Sequence, residues 1–215
     1  MKILLTGFEA FNGRTINPSE LLVNKVMAPE GITLIKEILP VEFKQTSIRI
    51  RELLEEHKPD AVISVGQAGN RAGISVERVA INLNNVRSSN GKKEIPDNAG
   101  ETPVDQIIEE DGETAYFTNL PVWEIIEAIQ ERGIQASASY TAGTYVCNHV
   151  MYTELYEVAK NYPDMKAGFI HVPFLPEQIG EKESRSGAHS MELENMVIAV
   201  ETVLEVLKNR NQKIK

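Results

Sequence analysis

Residues 136–172 read ASASYTAGTYVCNHVMYTELYEVAKNYPDMKAGFIHV. A strand-like run at 136–140 gives way to Thr141, Ala142, Gly143 and Thr144. After Cys147, the residues Val150, Met151, Leu155, Tyr156, Val158 and Ala159 recur at roughly helical spacing. A second strand-like run, 168–172, follows and carries His171. Strand, helix and strand in this order predict an α/β unit with a cysteine at the start of its helix.

Working outward, strand-like runs recur at 3–6, 32–39, 61–65 and 79–83. Several are apolar on both faces, as strands covered on both sides of a sheet are. Helical patterns occupy about 19–27, 43–57, 121–132, 147–161 and 191–209. Pro18 to Glu20 and Pro121 mark helix starts, and Gly133 follows a helix end. The alternation predicts a three-layer α/β/α sandwich around a mostly parallel twisted sheet, with residues 1–215 forming a single domain. Residues 86–112 break the pattern. Ser88, Ser89, Asn90, Gly91, Lys92, Lys93, Pro96, Asp97, Asn98 and Gly100 predict a long surface excursion there.

Composition excludes several functions. With 22 Lys plus Arg against 31 Asp plus Glu the formal charge is -9, which argues against a nucleic-acid surface. One cysteine cannot close an intramolecular disulfide, and Met1 and Lys2 lead into Ile3, Leu4 and Leu5 without a signal-peptide apolar region of sufficient length. The cytoplasm is the expected compartment. No apolar run approaches the roughly 20 residues of a membrane span.

Cys147 carries the most chemistry. Amide N–H groups without partners at a helix N-terminus favour a thiolate over a thiol, and His171 at the end of the following strand supplies a base. A lone cysteine is more commonly a small buried hydrophobe, so position alone leaves both readings open. His149, two residues past Cys147 on the helix, projects away from it. His57 ends a helix, where a histidine complements the dipole, and His189 lies in a polar stretch. No pair among histidines and carboxylates has the helical spacing of a zinc site, and no metal or other cofactor is expected.

Two further segments follow strands, at the end of a sheet where α/β folds bind ligands: Gly7 to Gly13, and Gly66, Gln67, Ala68, Gly69, Asn70 and Arg71. Neither glycine pattern is a phosphate signature. Phe8 and Phe11 suit the walls of a small apolar pocket, although paired phenylalanines beside a sheet are more often core.

Five stretches together resemble the pyroglutamyl peptidase I (pyrrolidone-carboxylate peptidase) family, nearly end to end. They are Thr6-Gly7-Phe8 through Phe11 with Asn17-Pro18-Ser19; Gly66-Gln67-Ala68-Gly69 through Glu77-Arg78-Val79-Ala80-Ile81-Asn82; Ile95-Pro96-Asp97-Asn98; Ala142 through Asn148; and Gly168 through Pro173. The resemblance implies a cysteine peptidase that removes an N-terminal pyroglutamyl residue from peptides through a thioester. It implies a triad of Cys147, His171 and Glu77, with Arg87 bordering the oxyanion site. Phe8, Phe11, Ile95, Tyr145 and Val146 would surround the ring, with Gln67 near its polar edge. It also implies a homotetramer. Two departures stand out. Where the family runs Asp-Asp-Ala-Arg directly into Ile-Pro-Asp-Asn, here Asn84, Asn85, Val86 and Arg87 are separated from Ile95 by Ser88 to Glu94. Asn70 stands where a second glycine is common. A phosphorylase-like transferase of related architecture and a catalytically silent lactam-binding protein are the competing expectations.

Overall fold

The computed structural model describes residues 1–69, 71–87, 94–180 and 188–213. Its strands are β1 (Lys2–Phe8), β2 (Thr33–Leu39), β3 (Ala61–Gln67), β4 (Ile74–Glu77), β5 (Val79–Ile81), β6 (Ala115–Phe117), β7 (Ala136–Ser139) and β8 (Lys166–Val172). The helices are α1 (Pro18–Lys25), α2 (Phe43–His57), α3 (Val122–Glu131), α4 (Val146–Lys160) and α5 (Leu193–Lys213). Six strands form one sheet in the order β2-β1-β3-β8-β4-β7. β2, β1, β3 and β8 are mutually parallel, while β4 runs antiparallel to β8 and parallel to β7.

Strand alternation sorts the core into two layers, because successive side chains leave opposite faces of the sheet. Ile3, Leu5, Ile63, Val65, Ile170 and Val172 pack against Leu22 and Val23 of α1, Ile125 and Ile129 of α3, and Val200, Val203 and Leu204 of α5. Leu4, Val62, Ala167 and Phe169 pack against Ile50, Leu53 and Leu54 of α2 and Val150, Met151 and Leu155 of α4. The three-layer sandwich is therefore the predicted one.

Two local predictions need correction. The run at 79–83 is not part of the main sheet; Val79–Ile81 pairs with Ala115–Phe117 in a separate two-stranded ribbon. The main-sheet strand in this region is Ile74–Glu77, four buried residues directly upstream. The excursion at 86–112 is also more anchored than its composition suggests. Val86 and Asp97 are buried, and Asp97 accepts from the backbone N–H groups of Phe43, Ala99 and Glu101, fixing the first turn of α2. Ser88 to Lys93 and Asn70 lie outside the described residues.

On the α4 face of the sheet, Thr6 Oγ1 lies 2.6 Å from Ser64 Oγ, whose hydroxyl donates to Glu154 Oε1 at 2.5 Å. Glu154 is fully buried and its Oε2 has no partner. Burial pushes its carboxyl up to about 8, with the Ser64 hydrogen bond pulling the other way, so the side chain is neutral at pH 7. The unfolded chain ionises this group near 4.5 while the folded chain keeps it protonated. Stability contributed here is therefore full below pH 4.5, declines as pH rises, and levels off above about pH 8. Glu154→Gln should remove that slope. Thermal melts across pH should show the variant gaining roughly 5 °C or more over the wild type at pH 8, and nothing near pH 4.5. Equal differences at both pH values would refute the account.

Among the described residues, no helix is long and apolar enough to cross a membrane.

Candidate active site

β3, β8 and β4 bring the site together on the α4 face. His171 lies opposite Ser75 in the antiparallel β8–β4 pair, so Glu77, two residues further along β4, is its diagonal neighbour on the same face. His171 Nδ1 and Glu77 Oε1 are 2.8 Å apart, both side chains buried. That bond makes Nδ1 the donor and leaves Nε2 as the ring nitrogen available to Cys147. Burial works against the imidazolium. The hydrogen bond and charge of Cys147, followed by those of Glu77, outweigh it and push His171 up to about 9.

Cys147 is half-buried in the first turn of α4, whose N-terminus has no side-chain cap. The first intrahelical bond there runs from His149 N–H to the Tyr145 carbonyl, so the N–H of Cys147 precedes the helical ladder. Below the sulfur lies Gly66, which pairs with His171 across β3 and β8. A Cβ on Gly66 would sit 3.0 Å from Cys147 Sγ and 2.8 Å from Phe169 Cζ, so only glycine lets the thiol settle against the sheet.

Next to Cys147 is a small cavity of about 10 Å³ lined by Phe8, Phe11, Asn17, Val41, Gln67, Tyr145 and Val146. Phe11 and Tyr145 stack at 6.0 Å between centroids, and Phe43 meets Tyr145 edge-on at 5.5 Å. Tyr145 in turn donates its hydroxyl to the Pro96 carbonyl at 2.9 Å, which ties the excursion to the cavity wall. Phe8, Phe11, Tyr145 and Val146, expected around a ring, and Gln67, expected near its polar edge, thus gather here. Ile95 is not among the lining residues. Arg87 is not either; its Nε donates to Glu94 at 3.0 Å and its side chain is half exposed.

Sequence reading missed Val41 and gave no site role to Asn17 or Arg71. Asn17 caps α1, accepting from Ser19 N–H at 3.0 Å. Arg71 Nη2 donates to Glu77 Oε1 at 3.3 Å and to the Thr141 carbonyl at 2.9 Å, so it braces both the carboxylate and the turn leading to Cys147. An arginine six residues before the glutamate on a connecting loop carries no spacing signal.

A larger cavity, about 370 Å³, opens between α2 and residues 101–109. It shares no lining residue with the first. His149 faces it, bonded to Ser47 Oγ and, at 3.1 Å, to Asn84 Oδ1. Burial, then the charge of Arg51, pushes His149 down to about 4, which leaves it a neutral structural group turned away from Cys147.

The sequence pattern of the pyroglutamyl peptidase family matches residues 1–210. The chain belongs to the pyroglutamyl peptidase family. It is 46% identical to the pyrrolidone-carboxylate peptidase of Thermosipho africanus over 99% of this chain and 100% of that one. The crystal structure of pyroglutamyl peptidase I from Bacillus amyloliquefaciens superposes with a TM-score of 0.86 at 42% identity, covering 94% of this chain and 92% of that one. A variant pyrrolidone carboxyl peptidase from Pyrococcus furiosus gives a TM-score of 0.90 at 38% identity, covering 98% and 99%. Membership accounts for the mostly parallel sheet with helices on both sides.

Proposed function

We propose that the chain is a cysteine peptidase that removes an N-terminal pyroglutamyl residue, with Cys147, His171 and Glu77 as its triad. The observation that carries this reading is the Glu77–His171 bond at 2.8 Å, with Cys147 the strongest influence favouring the charged form of the same imidazole, beside a small apolar cavity.

In the first step the Cys147 thiolate attacks the carbonyl that joins the pyroglutamyl ring to the next residue. The oxyanion accepts from the N–H of Cys147 at the uncapped start of α4. The His171 imidazolium donates its Nε2 proton to the departing amine, leaving a thioester. Neutral His171 then takes a proton from water, which attacks the thioester and releases pyroglutamate and the thiolate. Glu77 keeps Nδ1 as the donor throughout, and Arg71 holds Glu77. Arg87, engaged with Glu94, has a supporting role only if it exchanges partners. A homotetramer is implied by the family resemblance, and a cytoplasmic compartment is the expectation from the single cysteine and the N-terminal residues.

A fluorogenic pyroglutamyl amide tests the reading. The wild type is expected to release the fluorophore from it and to leave the matching prolyl amide intact. No release at micromolar enzyme would overturn it and favour a silent lactam-binding protein.

A further inference from the structure

The short 3₁₀ turn after β8, Pro176–Gln178, places a second amide behind the cavity wall. Gln178 is nearly buried, and both ends of its side chain are fixed by backbone groups. Its Oε1 accepts from the Leu175 N–H at 2.9 Å, and a backbone N–H can only donate. The carboxamide nitrogen must therefore point the other way, where it donates to the Ile16 carbonyl at 3.4 Å and to Gln67 Oε1 at 2.9 Å. Since the Gln178 nitrogen brings only donors to that contact, Gln67 must offer its oxygen there. Its own NH₂ is then the end left for the cavity that Gln67 lines with Cys147.

We infer that Gln178 is a positioning residue that sets the polarity of the pocket. Through the relay Leu175 N–H, Gln178, Gln67 it makes the cavity's polar edge a hydrogen-bond donor, selecting a ring that carries a carbonyl there over one that carries N–H or ammonium. A glutamine alone is ambivalent, because it presents either a donor or an acceptor by rotating 180°. The backbone anchors behind it remove that freedom. A site built to pair with a substrate group discriminates strongly against an analogue lacking it, because the buried partner is left unsatisfied. The selected ring rests on the proposed function; the direction of the relay does not.

Gln178→Glu tests the inference, because a carboxylate keeps the Leu175 bond but offers Gln67 an acceptor, which turns the Gln67 oxygen toward the cavity. Gln178→Met removes the relay without reversing it. The readout is the concentration of 2-pyrrolidone, against pyrrolidine, that half-protects Cys147 from iodoacetamide, together with KM and kcat for a pyroglutamyl amide, from pH 5 to pH 9. In Gln178→Glu, lactam protection is expected to weaken about tenfold or more and KM to rise in step, with kcat changed less and the defect growing as the carboxyl ionises. Gln178→Met should fall between this variant and the wild type. Lactam protection within twofold of wild type in a natively folded Gln178→Glu would overturn the inference. So would the same pH-independent loss in both variants, which would make Gln178 a packing residue. Wild-type protein protected by 2-pyrrolidone yet inert toward the pyroglutamyl amide would instead refute the proposed function and leave the relay standing.

Discussion

Cys147→Ala is expected to lower pyroglutamyl-amide hydrolysis by at least about 10⁴-fold, to the level of the assay background. In the proposed mechanism the thiol makes and breaks the bond, and no other cysteine exists to replace it. The fold should survive, because the side chain is only half-buried and the α4 start is held separately. Asn148 accepts from the Ile81 N–H at 2.9 Å and donates to the Ile81 and Leu83 carbonyls at 2.9 and 3.1 Å. Circular dichroism and thermal melts check that point. Iodoacetamide should inactivate the wild type with one adduct per chain, located by mass spectrometry at Cys147. An alanine variant with full activity would sink the mechanism.

The second large effect separates the proton carrier from the group that orients it. His171→Ala should lose roughly 10³-fold or more in kcat/KM, whereas Glu77→Gln should keep a measurably larger remainder. The pH profile adds a sign. His171, pushed up to about 9, is charged below that pH and able to protonate the leaving amine, so kcat/KM should fall as pH rises through about 9. Loss of the Glu77 charge and hydrogen bond should move this alkaline limb downward, because both favour the imidazolium. A Glu77→Gln limb that stays near 9 would deny Glu77 that role. A His149→Ala variant as inactive as His171→Ala, with native circular dichroism, would reassign the base.

The nucleophile was legible because a strand, a turn and an amphipathic helix succeed one another around it, and both periodicities are strong there. His171 was legible for the same reason. Glu77 came only through the family resemblance, since Ile74–Glu77 is four residues long and merges in sequence with Val79–Ile81. A cue lay in the link between β3 and β4. Six residues, 68–73, are too few for a parallel crossover, which needs a dozen or more, so β4 must run against β3. That reversal is what sets Glu77 diagonally beside His171. Gln178 was not legible at all, and Arg71 only as part of a segment at the ligand end of the sheet, without its role. Each acts through a hydrogen bond to a residue distant in the fold, and neither spacing nor composition records which amide backs which.

The small cavity beside Cys147 has a consequence for how the enzyme works along a peptide. Once the ring residue leaves, the shortened peptide begins with an ammonium ion. To enter, that ion would have to shed its hydration among Phe8, Phe11, Val41 and Val146 and meet a Gln67 amide that, on the inference above, also offers only hydrogens. Product is therefore not substrate. On that reading each peptide is uncapped once: the newly exposed ammonium ends its access to the cavity.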